Sequence, residues 1–207
     1  MTELRNVFWI GGGTGAGKSS VAIALAERYA LERYNYDWHD SRDHSDRTRP
    51  DRHPNRAAFL GMSLDERWVL ATPEVMLERE LGDFRERHEM VLEDLAALSA
   101  ERLIADGFGF LPELVAPLLH DPRQAVFLLA TPAFREHALA QRGWTTVEGT
   151  SDRVRARANK LARDALLTEH IRERAIALGL ATLDVDGTRD LAEITAAVER
   201  RFEPLLV

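Results

Sequence analysis

Residues 12–19 constrain this chain more than any other feature. They read GGTGAGKS and fit the pattern G-x-x-x-x-G-K-[ST] at every fixed position. The apolar residues 7–10 precede the motif, and residues 20–31 follow it with helix-forming side chains and neither glycine nor proline. A strand, a glycine-rich loop and a helix in this order direct backbone N–H groups at one anion, at the positive end of the helix. The sequence therefore predicts a phosphate-binding loop, or P-loop, that binds a nucleoside triphosphate.

The P-loop also predicts which groups touch the nucleotide. Lys18 is expected to reach the β- and γ-phosphates, and the Ser19 hydroxyl is expected to hold Mg²⁺. Neighbouring residues would bind the phosphates largely through backbone N–H groups; they are Gly13, Thr14, Gly15, Ala16, Gly17 and Ser20.

Length, charge and composition limit the remaining possibilities. The chain has 207 residues, a formal net charge of −7 and no cysteine. We expect a single domain over residues 1–207, and the acidic balance argues against a nucleic-acid partner. Disulfides and thiolate chemistry are excluded. The longest later apolar run, residues 125–130, is too short to cross a membrane, so we expect a cytoplasmic protein, either a monomer or a homodimer.

Apolar runs alternate with helical patterns along the chain. After the P-loop, the predicted strands cover residues 33–36, 102–105, 125–130 and 181–185. The predicted helices begin with Thr72-Pro73, Pro112, Thr131-Pro132 and Ser151, and Asp190 with Glu193 caps a last helix. Strands that alternate with helices specify an α/β fold, a five-stranded parallel sheet with helices on both faces. Ligands of such sheets bind outside the carboxyl ends of the strands.

Residues 37–56 differ sharply in composition from the rest of the chain. They contain five Asp, five Arg and three His and almost nothing apolar, so we predict a loop or mobile flap that does not pack as core. Residues 57–71 regain apolar side chains and predict one or two short helices. Two interpretations of the charged stretch stay open, a grip on an anionic substrate and a disordered loop.

Three carboxylates follow predicted strands and are candidates for chemistry. Asp106 is placed to orient Mg²⁺ opposite Ser19, directly or through water, with a turn aspartate as the alternative. Asp37 and Asp40 follow the second strand, where a carboxylate near the γ-phosphate could accept a proton from a substrate hydroxyl. Asp37 lies closer to the strand and is the predicted base, with a solvated loop residue as the alternative.

Residues 142–163 supply the basic counterpart. On a helix, Arg153, Arg157 and Lys160 share one face and Arg163 lies on a neighbouring one, with Val154 on the predicted buried side. Guanidinium groups on a closing segment can neutralise the transferred phosphoryl group. Spacing does not decide which arginine points inward, and a solvated helix face is the alternative.

These features resemble the nucleoside-monophosphate-kinase-like branch of P-loop kinases, which includes adenylate, shikimate and gluconate kinases and chloramphenicol phosphotransferase. The resemblance rests on GGTGAGKSS, Asp37, ADG at 105–107, the arginine-rich segment and DGT at 186–188. It implies a P-loop NTPase fold that uses ATP with Mg²⁺. It also implies a helical acceptor-binding flap after the second strand, residues 37–71, and an arginine-rich lid, residues 143–163.

The resemblance further implies roles for individual residues. Gly187 and Thr188 would lie beside the adenine, Asp106 would lie near Mg²⁺, and Arg153, Arg157 or Arg163 would lie over the phosphates. The acceptor-site signatures of adenylate kinase and the glycine triplet of shikimate kinase are absent from the sequence, so the resemblance leaves the acceptor open.

The leading functional hypothesis is an ATP-dependent kinase that acts on a hydroxyl of a small metabolite or antibiotic. A nucleoside monophosphate kinase, whose lid arginines grip a monophosphate, is the second hypothesis. A non-catalytic ATP-binding protein is a third. A GTPase is disfavoured because Asn159-Lys160 is followed by Leu161-Ala162 and does not complete the guanine-reading pattern N-K-x-D.

Overall fold

The computed structural model of the protein describes residues 6–98 and 101–206. Within these residues the centre is a sheet of five strands, namely β1 (Val7–Gly12), β2 (Glu32–Asn35), β3 (Leu103–Asp106), β4 (Ala125–Ala130) and β5 (Ala181–Val185). The strands lie in the order β2-β3-β1-β4-β5, and every neighbouring pair is parallel. The predicted α/β fold with a five-stranded parallel sheet is confirmed.

The central strands are buried along their whole length, and their register assembles the site. Every residue of β1, β3 and β4 is buried, which is expected where helices cover both faces of a parallel sheet. In this register Ile10 pairs with Asp106, and Asn35 pairs with Asp106 from the other side. The carboxyl ends of β1, β2 and β3 therefore meet at one edge, directly beside the P-loop.

Helices pack on both faces of the sheet. They are α1 (Lys18–Tyr29), α2 (Tyr36–Asp40), α3 (Asp43–Asp46), α4 (Pro54–Gly61), α5 (Leu64–Trp68), α6 (Pro73–Ala97), α7 (Pro112–Val115), α8 (Pro132–Arg142), α9 (Arg153–Ala177) and α10 (Leu191–Leu206). On one face α6, α7 and α9 pack over Trp9, and on the other α1 and α10 pack over Phe8. None of the helices in the described part of the chain has the length and apolar character that crossing a lipid bilayer requires.

The helix starts predicted at Thr72-Pro73, at Thr131-Pro132 and at Asp190 are confirmed by capping contacts, whereas α9 begins at Arg153, two residues after the predicted Ser151, with Asp152 as its cap. The Thr72 hydroxyl accepts a hydrogen bond from the Val75 N–H at 3.4 Å, and the Thr131 hydroxyl accepts one from the Phe134 N–H at 3.4 Å. At α10 the Glu193 N–H donates to Asp190, and the Asp190 N–H donates to Glu193. Each contact satisfies a backbone donor that the first helical turn leaves free.

The prediction that residues 37–56 form a loop that does not pack was wrong. The stretch folds into α2, α3 and the start of α4, and His44, His53 and Arg56 are buried. Carboxylates of α6 hold it in place, because Asp94 lies 2.8 Å from the His44 ring and Glu89 lies 2.8 Å from the His53 ring. Hydrogen bonds to carboxylates thus replace the apolar contacts that the composition lacks.

The prediction of the buried face of α9 was also wrong. Val154 is 81% exposed, whereas Ala156 packs against Val69 and Val147. Farther along the helix, Lys160 and Arg163 are buried. Both side chains have acidic partners, so their burial does not leave an unpaired charge, and apolar periodicity carries no signal for such a face.

Candidate active site

The loop between β1 and α1 has the geometry of a phosphate cradle. Gly15 and Gly17 both have φ angles of +80°, a left-handed conformation that turns the backbone N–H groups toward one centre. A Cβ at Gly12 would lie 2.0 Å from the Leu128 carbonyl oxygen, so this position has no room for a side chain. The loop therefore fits a polyphosphate.

Lys18 completes the cradle. Its ammonium group is buried and donates a hydrogen bond to the Gly13 carbonyl oxygen at 2.8 Å, so it lies across the loop. Burial lowers the pKa of Lys18, and the negative charges of Asp37 and Asp106 oppose that shift. The predicted P-loop lysine therefore lies within electrostatic range of two of the three candidate carboxylates, Asp37 and Asp106.

Ser19 and Asp106, the two predicted Mg²⁺ residues, are in contact. The Ser19 hydroxyl donates to Asp106 Oδ2 at 2.7 Å, and Asp106 is fully buried at the end of β3. Hydroxyl and carboxylate oxygens are the ligands that Mg²⁺ prefers, so the residues present fit this ion. Their role as metal ligands stays a prediction.

Two residues of β2 that sequence reasoning missed hold Asp106 in place. Arg33 donates from Nε to Oδ1 at 2.6 Å and from Nη2 to Oδ2 at 2.9 Å, and Asn35 donates to Oδ2 at 2.9 Å. Residues 33 and 35 point to the same side of a strand because side chains alternate. This alternation was visible in the sequence, but the pairing of β2 with β3 was not.

One cavity of about 480 Å³ opens beside these residues. Residues 14–20 of the P-loop form one wall, and Asp37 lines the same space. The flap, α6 and the β3–α7 loop supply apolar side chains, namely Phe59, Met62, Leu64, Trp68, Met76 and Phe108. Apolar walls with a few charged groups are typical of sites for small molecules.

The two candidate bases lie in different environments. Asp40 is bound by the buried guanidinium groups of Arg87 and Arg56, the latter at 2.8 Å. Asp37 accepts one hydrogen bond, from the Phe108 N–H at 3.2 Å, and forms no ion pair within the described residues. Although it is accessible from the cavity, the surrounding protein raises the pKa of Asp37, and the charge of Lys18 partly opposes the rise. Asp37 is therefore better suited than Asp40 to accept a proton.

The three predicted lid arginines do not share one environment. Arg163 is buried, lines the cavity, and pairs with Glu80 and with Asp164. Arg153 and Arg157 are exposed and lie outside the cavity wall, with the Arg157 guanidinium 5.2 Å from the centre of the Trp144 ring. Lid closure would be needed to bring these two arginines to the phosphates, so their role stays a prediction.

The predicted adenine-side residues follow β5 in an exposed turn. The Thr188 N–H and hydroxyl both donate to Asp186, at 2.9 and 2.6 Å. Gly187 has a φ of +89°, and a Cβ there would lie 3.1 Å from the Phe134 ring. Gly187 and Thr188 lie outside the cavity wall, and their contact with adenine stays a prediction.

Comparison with known proteins bears on the fold. No protein-family model and no curated protein matches this chain. It is similar to shikimate kinase from Bacteroides thetaiotaomicron, with a TM-score of 0.51 and 18% identity over 97% of this chain and 98% of that one. It is also similar to shikimate kinase from Acinetobacter baumannii in complex with shikimate, with a TM-score of 0.50 and 19% identity over 99% and 94%.

A third solved structure, deoxyadenosine kinase from M. mycoides, has a TM-score of 0.53 and 11% identity over 96% of this chain and 99% of that one. At such identities the likeness concerns architecture, which matches along almost the full length of each protein. The chain therefore has the α/β P-loop fold, with its five-stranded parallel sheet, that these three kinases also have.

Proposed function

We propose that this protein is a phosphotransferase that moves the γ-phosphoryl group of Mg·ATP to a hydroxyl of a small acceptor. The observation that carries the proposal is the shared cavity, because P-loop residues 14–20, Asp37 and the flap side chains all line it. Phosphoryl transfer depends mainly on holding donor and acceptor together in a suitable electrostatic environment, and one cavity of this kind meets that need.

The P-loop residues have the donor roles. Residues 13–17 hold the phosphates through backbone N–H groups, and Lys18 neutralises charge on the β- and γ-phosphates. Ser19 and Asp106 would hold Mg²⁺, which when bound supplies further positive charge to the phosphates. Arg33 and Asn35 keep the Asp106 carboxylate in position through three hydrogen bonds.

Asp37 has the role of the base that acts on the acceptor hydroxyl. The acceptor hydroxyl gives its proton to Asp37 as its oxygen bonds to the γ-phosphorus, and the bond from that phosphorus to the bridging oxygen breaks to release ADP. The raised pKa of Asp37 makes its carboxylate a stronger base than an ordinary aspartate. Lid arginines would then cover the transferred group.

A nucleoside monophosphate kinase is the second candidate, because Arg163 and Lys160 also line the cavity and could face an anionic acceptor. Both cations are already bound to carboxylates, Lys160 to Asp164 at 3.0 Å and Arg163 to Glu80 and Asp164. A monophosphate acceptor would also place its charge beside Asp37. A hydroxyl acceptor avoids that repulsion and is the better fit.

The test is ADP release from Mg·ATP across a panel of sugar acids, nucleoside monophosphates, aminoglycosides and phenicols, with Lys18→Ala as the blank. We expect Asp37→Asn to lower kcat by about 10²-fold or more, because the hydroxyl loses its proton acceptor. Binding of a fluorescent ATP analogue should be unchanged. Asp43→Asn is the matched control, since Asp43 lies on the same flap, is 48% exposed and contacts only His39 among the described ion pairs.

Each proposed role has an outcome that contradicts it. Turnover by Asp37→Asn close to the wild-type rate would remove the base assignment. Activity confined to nucleoside monophosphates, with indifference to that substitution, would favour the second candidate. ATP binding without turnover of any panel member would favour a non-catalytic protein.

A further inference from the structure

The Asp106 carboxylate has its acceptor positions filled by protein donors. Oδ1 accepts from Arg33 Nε at 2.6 Å. Oδ2 accepts from the Ser19 hydroxyl at 2.7 Å and from Arg33 Nη2 and Asn35 Nδ2, both at 2.9 Å. An ionised carboxylate offers about four lone-pair sites, and these four donors match that number. A cation that bound either oxygen directly would therefore have to displace one of the donors.

The Ser19 hydroxyl differs from Asp106 because it keeps acceptor capacity. It donates its only proton to Asp106 Oδ2, and a hydroxyl oxygen carries two lone pairs besides that proton. Ser19 also belongs to the cavity wall, whereas Asp106 is fully buried behind it. A metal ion that enters from the cavity can thus bind the Ser19 oxygen while Asp106 keeps its donors.

Arg33 also balances the charge of the site. Its guanidinium forms an ion pair with Asp106 at 2.6 Å, and its side chain is 26% exposed. The Lys18 ammonium lies in the field of further charged groups of both signs, which are Asp37, Asp106, Arg142 and Asp164. Of these six groups, three are cations and three are carboxylates. Together they present no net negative charge that would attract a free divalent cation.

The fold does not need Arg33 to join its two strands. Backbone pairing already connects β2 with β3, from Glu32 opposite Leu103 to Asn35 opposite Asp106, and the Asn35 side chain adds a bond to Asp106. A neutral side chain at position 33 therefore removes one positive charge beside a buried carboxylate and leaves the strand pairing in place. If Arg33 served only to join the strands, replacing it would lower stability and leave metal affinity unchanged.

We propose that Arg33 prevents Asp106 from binding free Mg²⁺, so that the protein binds the metal only together with the phosphates of a nucleotide. Arg33 is then a positioning residue, which acts on the metal site through Asp106. The phosphates supply the negative charge that the site itself lacks, and Ser19 supplies a protein oxygen. The inference takes its metal from the proposed function, but it concerns binding and requires no turnover.

The experiment measures Mn²⁺ binding to the whole protein, with and without ADP. Mn²⁺ shares the preference of Mg²⁺ for oxygen ligands. Electron paramagnetic resonance measures the free ion, and water proton relaxation detects Mn²⁺ bound to the protein. We expect no saturable binding to the wild type without ADP and clear binding with ADP. Binding without ADP that is as tight as in the neutral variant described next would overturn the proposal, as would the absence of binding with ADP.

Two variants at position 33 separate charge from packing. Arg33→Gln keeps an amide donor but loses the charge, and it should bind Mn²⁺ without ADP about tenfold or more tightly than the wild type. Arg33→Lys keeps the charge and should bind Mn²⁺ as weakly as the wild type. Arg28→Gln is the matched control, because it changes the net charge equally, lies in the last turn of α1 and pairs with Glu199. Equal gains in Arg33→Gln and Arg28→Gln would overturn the proposal.

A double variant locates the gained metal, and the inference and the proposed function can fail separately. Asp106→Asn in the Arg33→Gln background should abolish the gain, whereas a gain that persists would place the metal elsewhere and overturn the proposal. Acceptor-dependent ADP release by a wild type that binds Mn²⁺ freely would overturn the role of Arg33 and retain the phosphotransferase. A gain confined to Arg33→Gln, in a protein that turns over no acceptor, would retain the role of Arg33 and count against the phosphotransferase.

Discussion

At the scale of single residues, three aspartates at the edge of the sheet differ in the groups that bind them. Asp106 is bound by Ser19 and by two side chains of β2, so its carboxylate is held in one orientation. Asp40 is neutralised by two arginines. Asp37 has a single backbone hydrogen bond and faces the cavity. Residue type and position in the sequence were similar for all three, and the partners decide which one can exchange a proton.

The raised pKa of Asp37 predicts the pH dependence of turnover. A base acts in its deprotonated form, so kcat/KM should fall as the pH falls through the pKa of Asp37. Because desolvation by the surrounding protein raises that pKa above the ordinary value of 3.8, the acidic limb should lie above pH 3.8. The measurement is kcat/KM against pH with an accepted substrate, with circular dichroism at each pH to show that the protein stays folded. Activity that is flat down to pH 3.8 would contradict the assignment.

At the scale of elements, α6 acts as the anchor of the flap. Its acidic side chains recur about once per turn, and four of them contact residues 37–56. Asp83 pairs with Arg56, Glu86 accepts from the backbone of α4, Glu89 pairs with His53, and Asp94 accepts from α3. The helical stripe of carboxylates therefore gives a polar segment one defined position over the cavity.

The Asp94 contacts predict how strongly this anchor stabilises the fold. Asp94 accepts hydrogen bonds from Tyr34, His44 and Arg47 at 2.9, 2.8 and 2.5 Å. In Asp94→Asn an amide N–H₂ would face donors, so we expect a loss of about 2 kcal/mol in the free energy of unfolding, measured with urea. Glu93→Gln is the control, since Glu93 also pairs with Arg47 but is 65% exposed, and it should cost less than about 0.5 kcal/mol. Equal losses in the two variants would refute the anchor.

At the scale of the whole molecule, the sequence determined the sheet better than it determined the site. Unbroken apolar runs such as Ala125–Ala130 predict buried parallel strands, and Thr-Pro pairs predict helix starts, because both signals are local. The packing of residues 37–56 and the burial of Arg163 depend on partners far along the chain. Apolar periodicity reports where apolar side chains are buried and says nothing of which charges meet. The P-loop could be identified because its function resides in a contiguous backbone.

The molecule thus combines a sheet held by apolar packing with a flap held largely by charged groups. Low pH should weaken the contacts of the flap more than the apolar packing of the sheet, because it protonates carboxylates. The partners of Asp94 lower its pKa to about 2 from the ordinary 3.8. A carboxylate with a depressed folded-state pKa contributes its stability above the unfolded-state value and loses it as the pH falls toward the folded-state value. The difference in unfolding free energy between wild type and Asp94→Asn should therefore have its maximum value near neutral pH and should decrease between about pH 4 and 2. Urea unfolding of both proteins across this range measures it, and a difference that stays constant would mean that the Asp94 contacts do not depend on its charge.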